Sequence, residues 1–126
     1  MGLMQVSATV MRPDRRGKPL RVRFLVDTGA VYTVLPEGVW RALKLEATSR
    51  AEFGLADGSC VTRGVSECRF DIAGRTATSP VVLGARGDAP LLGAVTLETL
   101  GLMIDPLTRR LLPMRLLPMY SALAPG

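Results

Sequence analysis

The sequence predicts an all-β domain, and three observations carry that prediction. Nine prolines and thirteen glycines are spread along 126 residues between short apolar runs rich in Val and Leu, a pattern of many short strands and turns. An Asp-Gly pair at Asp57-Gly58 sits between two β-forming runs, the strongest short hairpin signal. With 48% hydrophobic and 21% charged residues and a mean hydropathy of +0.25, the chain is globular, and its length fits one domain spanning 1–126 with a core of its own.

The elements follow in order. Gln5 to Met11 alternates loosely, Pro13-Asp14-Arg15-Arg16-Gly17 is turn chemistry, and Leu20 opens a strand running to Asp27. An opening hairpin is expected. After a turn at Thr28-Gly29-Ala30, a short β run from Tyr32 to Leu35 ends at Pro36. Pro36 as first helical residue, with Val39, Trp40, Leu43 and Leu45 behind it, predicts a short helix with Trp40 turned inward. Ala51 to Val65 reads as strand, turn, strand around Ala56-Asp57-Gly58-Ser59. Glu67 to Ile72 and Thr76 to Leu83 form another pair across Ala73-Gly74-Arg75, and Ala85 to Pro90 is a loop before Leu91-Leu92-Gly93. Thr96 to Leu100 predicts a second short helix stopped by Gly101, with Leu97 and Leu100 on one face. Met103-Ile104 and Leu111-Leu112 flank an Asp105-Pro106-Leu107-Thr108 turn. Arg110 to Met114 and Arg115 to Met119 repeat the same five residues, and their prolines restrict them to edge strands or extended chain.

Composition excludes several chemistries. There is no histidine, which removes Ser-His-Asp and Cys-His catalysis and most zinc sites. Catalysis would have to use carboxylates, with no metal and no cofactor. Cys60 and Cys68, eight apart, match no metal or redox spacing and read as free thiols. The net charge of +5 gathers in Arg12, Arg15, Arg16, Lys18, Arg21 and Arg23. Without interleaved aromatic residues for stacking, a solvated hairpin is the better reading than nucleic-acid binding. No N-terminal stretch has the order of a secretion signal, and Leu91 to Ile104 is too short and too interrupted to span a bilayer. The expectation is a cytoplasmic protein with no membrane partner.

Phe24-Leu25-Val26-Asp27-Thr28-Gly29-Ala30 is the stretch that points to chemistry. A strand apolar on both faces delivers Asp27 to a place of poor solvation, followed by a hydroxyl and by a residue that lets backbone pass close to a neighbour. A carboxylate so placed is a functional-site candidate.

Taken in order, Asp27-Thr28-Gly29-Ala30 with Thr33-Val34-Leu35, the Asp57-Gly58 hairpin, and Leu91-Leu92-Gly93 before a short helix resemble the retropepsin-like aspartic proteases, in the style of their small prokaryotic single-domain members. The resemblance spans roughly Gln5 to Leu112. It implies a closed acid-protease barrel with one or two short helices. It also implies that Asp27 is the catalytic aspartate, that the Thr28 hydroxyl locks the two active-site loops across a dimer, and that Gly29 meets the substrate backbone. Leu55, Ala56, Asp57, Gly58 and Ser59 would form a flap, and Leu25, Ala30, Val31, Ala89 and Leu91 would help line the substrate site.

Peptide hydrolysis without metal or covalent intermediate needs one group to take a proton and another to give one. Aspartic proteases do this with two carboxylates about 3 Å apart that share a proton. No other Asp here lies in such a frame. The expectation is therefore a homodimer, each chain one half of an endopeptidase, with the site on the two-fold axis and a peptide or protein as substrate. The alternative is a catalytically silent peptide-binding dimer of the same fold. Retroviral members carry an Asp two residues after the motif Gly and an Arg after the later Gly. Here those positions are Val31 and Ala94, which reads as a joint replacement by apolar packing.

Overall fold

A computed structural model describes residues 4–27 and 29–114. Seven strands form one sheet in the order β1-β2-β7-β3-β6-β5-β4, and a further β1–β5 pairing closes six of them into a ring. Strands β1 (Met4–Met11) and β2 (Leu20–Val26) make the opening hairpin. Their alternation sends Ala8, Val10, Val22, Phe24 and Val26 inward and leaves Arg21 and Arg23 in solvent, as period-two patterning dictates. Phe24 meets Phe70 at the centre, with ring centroids 6.0 Å apart.

Strand β3 (Thr33–Leu35) leads into helix α1 (Glu37–Ala42). Pro36 stands at the N-cap with extended backbone, so the helix begins at Glu37, one residue later than the sequence predicts. Trp40 packs against the core and donates its indole N–H to the Gly84 carbonyl at 2.9 Å.

Strand β4 (Ser49–Gly54) pairs with β5 (Cys60–Ile72), and β5 pairs in turn with β6 (Arg75–Leu83). The second strand expected within Ala51–Val65 and the strand expected at Glu67–Ile72 are therefore one arm, β5, thirteen residues long. Gly64 and Ser66 look like a break in sequence but serve packing. A Cβ at Gly64 would stand 2.8 Å from that of Ala47, and the Ser66 hydroxyl donates to the Glu46 carbonyl at 2.8 Å. One end of β5 carries the β4–β5 turn and the other joins β1.

Strand β7 (Leu91–Leu92) is short but central: it runs parallel to β2 and antiparallel to β3. Helix α2 (Ala94–Thr99) follows, with Leu97 and Leu100 buried. Strands β8 (Leu102–Asp105) and β9 (Arg110–Pro113) form a separate ribbon. The first copy of the five-residue repeat supplies β9; the second copy, from Arg115, lies outside the described residues. Cys60 is exposed, Cys68 is buried, and both are free.

Candidate active site

The site is built where β2 ends against β7. The Leu25 amide donates to the Pro90 carbonyl at 3.0 Å, and the Asp27 amide to the Leu92 carbonyl at 3.4 Å. The chain then turns sharply, with the Ala30 amide returning to the Asp27 carbonyl at 3.0 Å. Asp27 Oδ1 accepts the Gly29 amide at 2.9 Å. A Cβ on Gly29 would stand 3.3 Å from that same oxygen, so a side chain there would crowd the carboxylate. Thr28 lies outside the described residues. Asp27 is exposed in the single chain, which corrects the expectation of poor solvation. The turn carries it past the end of β2, beyond the packing that buries Phe24 and Val26.

A buried hydroxyl chain fixes the ground behind this loop. The Gly93 amide donates to Thr33 Oγ1 at 3.0 Å, Thr33 and Thr96 hydroxyls stand 2.6 Å apart, Thr96 and Ser79 hydroxyls 2.9 Å apart, and Ser79 donates to the Pro80 carbonyl at 3.1 Å. An amide can only donate and a carbonyl can only accept, so every hydroxyl proton must point from Gly93 toward Pro80. All three side chains are fully buried and all are satisfied, which burial demands. Gly93 is required at this crossing, because a Cβ would fall 2.4 Å from the Tyr32 carbonyl carbon.

At the positions of the retroviral Asp–Arg pair, apolar packing does not replace the lost charges. Val31 is 57% exposed. Main-chain bonds make the join instead, from the Ala94 amide to the Ala30 carbonyl and from the Val95 amide to the Val31 carbonyl, each 2.9 Å.

A cleft of about 570 Å³ opens beside Gly29, Ala30 and Val31. Ala89 and Leu91 line it, as does Leu55 at the base of the β4–β5 turn. Leu25 does not line it; half-buried, it lies beside Leu91 in the parallel register. Ala56, Asp57, Gly58 and Ser59 project past it as an exposed tip. Two backbone bonds close the tip, from the Leu55 amide to the Ser59 carbonyl at 2.8 Å and from the Gly58 amide to the Leu55 carbonyl at 3.0 Å. Gly58 has φ +87°, which suits glycine there. Asp57 Oδ1 accepts both the hydroxyl and the amide of Ser59, and these bonds hold its carboxyl below the usual range.

Sequence reasoning missed part of the cleft wall: Tyr32, Val34, Phe53, Val61, Arg63 and Asp88. The signal for some of them was present. Phe53 and Val61 are cross-strand partners, and the same alternation carries Arg63 to their face. Tyr32 meets Phe53 edge to face, centroids 6.0 Å apart, so the loop after Asp27 touches the β4–β5 hairpin directly. Among the described residues no three His, Cys, Asp or Glu side chains converge as a metal site, and no helix is long and apolar enough to cross a membrane.

Residues 16–99 match the family model described as "gag-polyprotein putative aspartyl protease". The chain belongs to that family, the retropepsin-like aspartic proteases. Its fold is theirs as well. The EIAV protease complexed with the inhibitor HBY-793 matches with TM-score 0.60 at 22% identity, over 82% of this chain and 93% of that one. The solution structure of Simian Foamy Virus (mac) protease matches with TM-score 0.54 at 17% identity, over 75% and 92%. No curated protein matches the chain in sequence.

Proposed function

We propose that the protein is an aspartic endopeptidase whose active unit is a homodimer, residues 1–126 supplying one half. The observation that carries this reading is a single carboxylate, Asp27, held exposed in a tight turn at the end of a core strand, next to a cleft walled in part by the β4–β5 hairpin. Two such turns meeting on a two-fold axis create the carboxylate pair that one chain lacks. Of that pair, the ionised member takes a proton from a water held between them. The water oxygen adds to the substrate carbonyl carbon while the protonated member gives its proton to the carbonyl oxygen. Collapse of the tetrahedral adduct breaks the C–N bond, with a proton passing to the leaving amine.

Within this reading, Gly29, Ala30, Val31, Ala89 and Leu91 contact the substrate, and Leu55 to Ser59 close over it. The EIAV protease, which shares this fold, is solved in complex with an inhibitor, in keeping with a ligand-binding role for the fold.

Asp27→Asn tests the mechanism. It should lower cleavage of a denatured protein mixture by at least about 10²-fold, the scale of one lost acid–base group, without changing the unfolding midpoint downward. Undiminished cleavage refutes the mechanism. Peptide binding without cleavage by the unaltered chain would instead establish the silent binding dimer.

A further inference from the structure

The cleft wall is apolar through Ala30, Val31, Val34, Leu55, Val82 and Leu91, and Arg63 and Asp88 interrupt it. The two charges arrive from separate elements. Arg63 lies opposite Ala51 at the root of the β4–β5 hairpin, two residues beyond Val61 and so on the same face. Asp88 belongs to the 84–90 loop that leads into β7.

Their geometry leaves bonding capacity unused. Arg63 Nε stands 3.8 Å from Asp88 Oδ2, with the side chains 27% and 40% exposed; that is an ion pair, but longer than a hydrogen bond. Asp88 Oδ2 is fixed by the Ala85 amide at 2.8 Å. Arg63 Nη1 donates to the neighbouring Thr62 carbonyl at 3.1 Å. Among the described residues the remaining guanidinium N–H groups and Asp88 Oδ1 make no further hydrogen bond.

Opposite charges this close present a dipole to whatever enters the cleft. An incoming carboxylate is drawn to Arg63 and repelled by Asp88, and an ammonium meets the reverse. A side-chain carboxamide suits both, since its oxygen accepts from the guanidinium and its NH₂ donates to the carboxylate. We propose that Arg63 and Asp88 form a polar subsite that selects Gln or Asn at one position of the bound peptide. The inference rests on the cleft being the peptide site, as proposed above, and adds the substrate class.

The test is a randomised peptide library read in two ways, by cleavage with the unaltered chain and by affinity capture on the Asp27→Asn chain. Each is repeated in Arg63→Gln and Asp88→Asn backgrounds. One position should favour Gln or Asn over Leu by about tenfold, the worth of a net hydrogen bond. Arg63→Gln should move that preference toward Lys and Arg, and Asp88→Asn toward Glu and Asp.

A position-independent profile overturns the proposal, and so does movement in the same direction by both variants. Carboxamide capture without any cleavage by the unaltered chain upholds the subsite while refuting the endopeptidase reading. Should a single variant fail to fold, the exchanged pair Arg63→Asp with Asp88→Arg keeps the dipole in reverse and must keep the carboxamide preference.

Discussion

Thr96 stands in the middle of a hydroxyl chain whose direction is set by its two ends. Replacing it by Val leaves the Thr33 hydroxyl donor without its acceptor in a fully buried place. Thr96→Val is expected to cost roughly 1–3 kcal/mol, measured by urea unfolding, and to lower activity through the Gly93 crossing. Cys68 makes a second case. Burial pushes its thiol up to about 12 from 9.0, so the folded chain holds that proton after the unfolded chain has released it. Its stabilising contribution is complete below about pH 9 and is lost progressively as pH rises toward 12. The unfolding free energy of the native chain should therefore fall more steeply with pH between those limits than that of Cys68→Ala. Asp27 itself stands out in the sequence as the candidate reactive residue, from its motif. Its exposure does not, because apolar neighbours along a strand say nothing about where the following turn points.

At the scale of elements, the opening hairpin is fastened to α1 by one side chain. The Arg12 guanidinium donates to both Asp14 oxygens and to the carbonyls of Leu43 and Lys44, the latter at 2.7 Å. The Arg12 hydrogen bond, followed by the Arg16 amide, lowers Asp14 to about 2 from 3.8. A depressed carboxyl stabilises the fold above its unfolded value, and that support is lost as pH falls through about 4 toward 2. Amide exchange in residues 12–18 should accelerate over that interval, and Asp14→Asn should show the faster exchange already at neutral pH. The sequence reads the basic residues here as a solvated hairpin; that Arg12 among them carries an anchor needed the carbonyls at the end of α1 to be in place. Hairpins with Pro, Asp and Gly in their turns were readable because turn chemistry is local. The continuity of β5 was not, since Gly64 and Ser66 earn their places through Ala47 and Glu46, contacts that no local pattern encodes.

For the whole molecule, a ring of six strands leaves one carboxylate at one loop, and the proposed chemistry needs two. Specific activity per chain should therefore fall on dilution in step with the dimer fraction seen by sedimentation; activity independent of concentration down to a fully monomeric sample would refute the shared site. The ring also has a consequence in time. Leu92 pairs with Val26, and 66 residues separate them, so during synthesis at 5–20 residues per second β2 waits roughly 3 to 13 s for its neighbour. Until then the Asp27 turn has no Leu92 carbonyl to receive its amide and no Gly93 crossing behind it. The Asp27 loop therefore takes its finished geometry only after β7 has emerged, although its own residues are made in the first quarter of the chain.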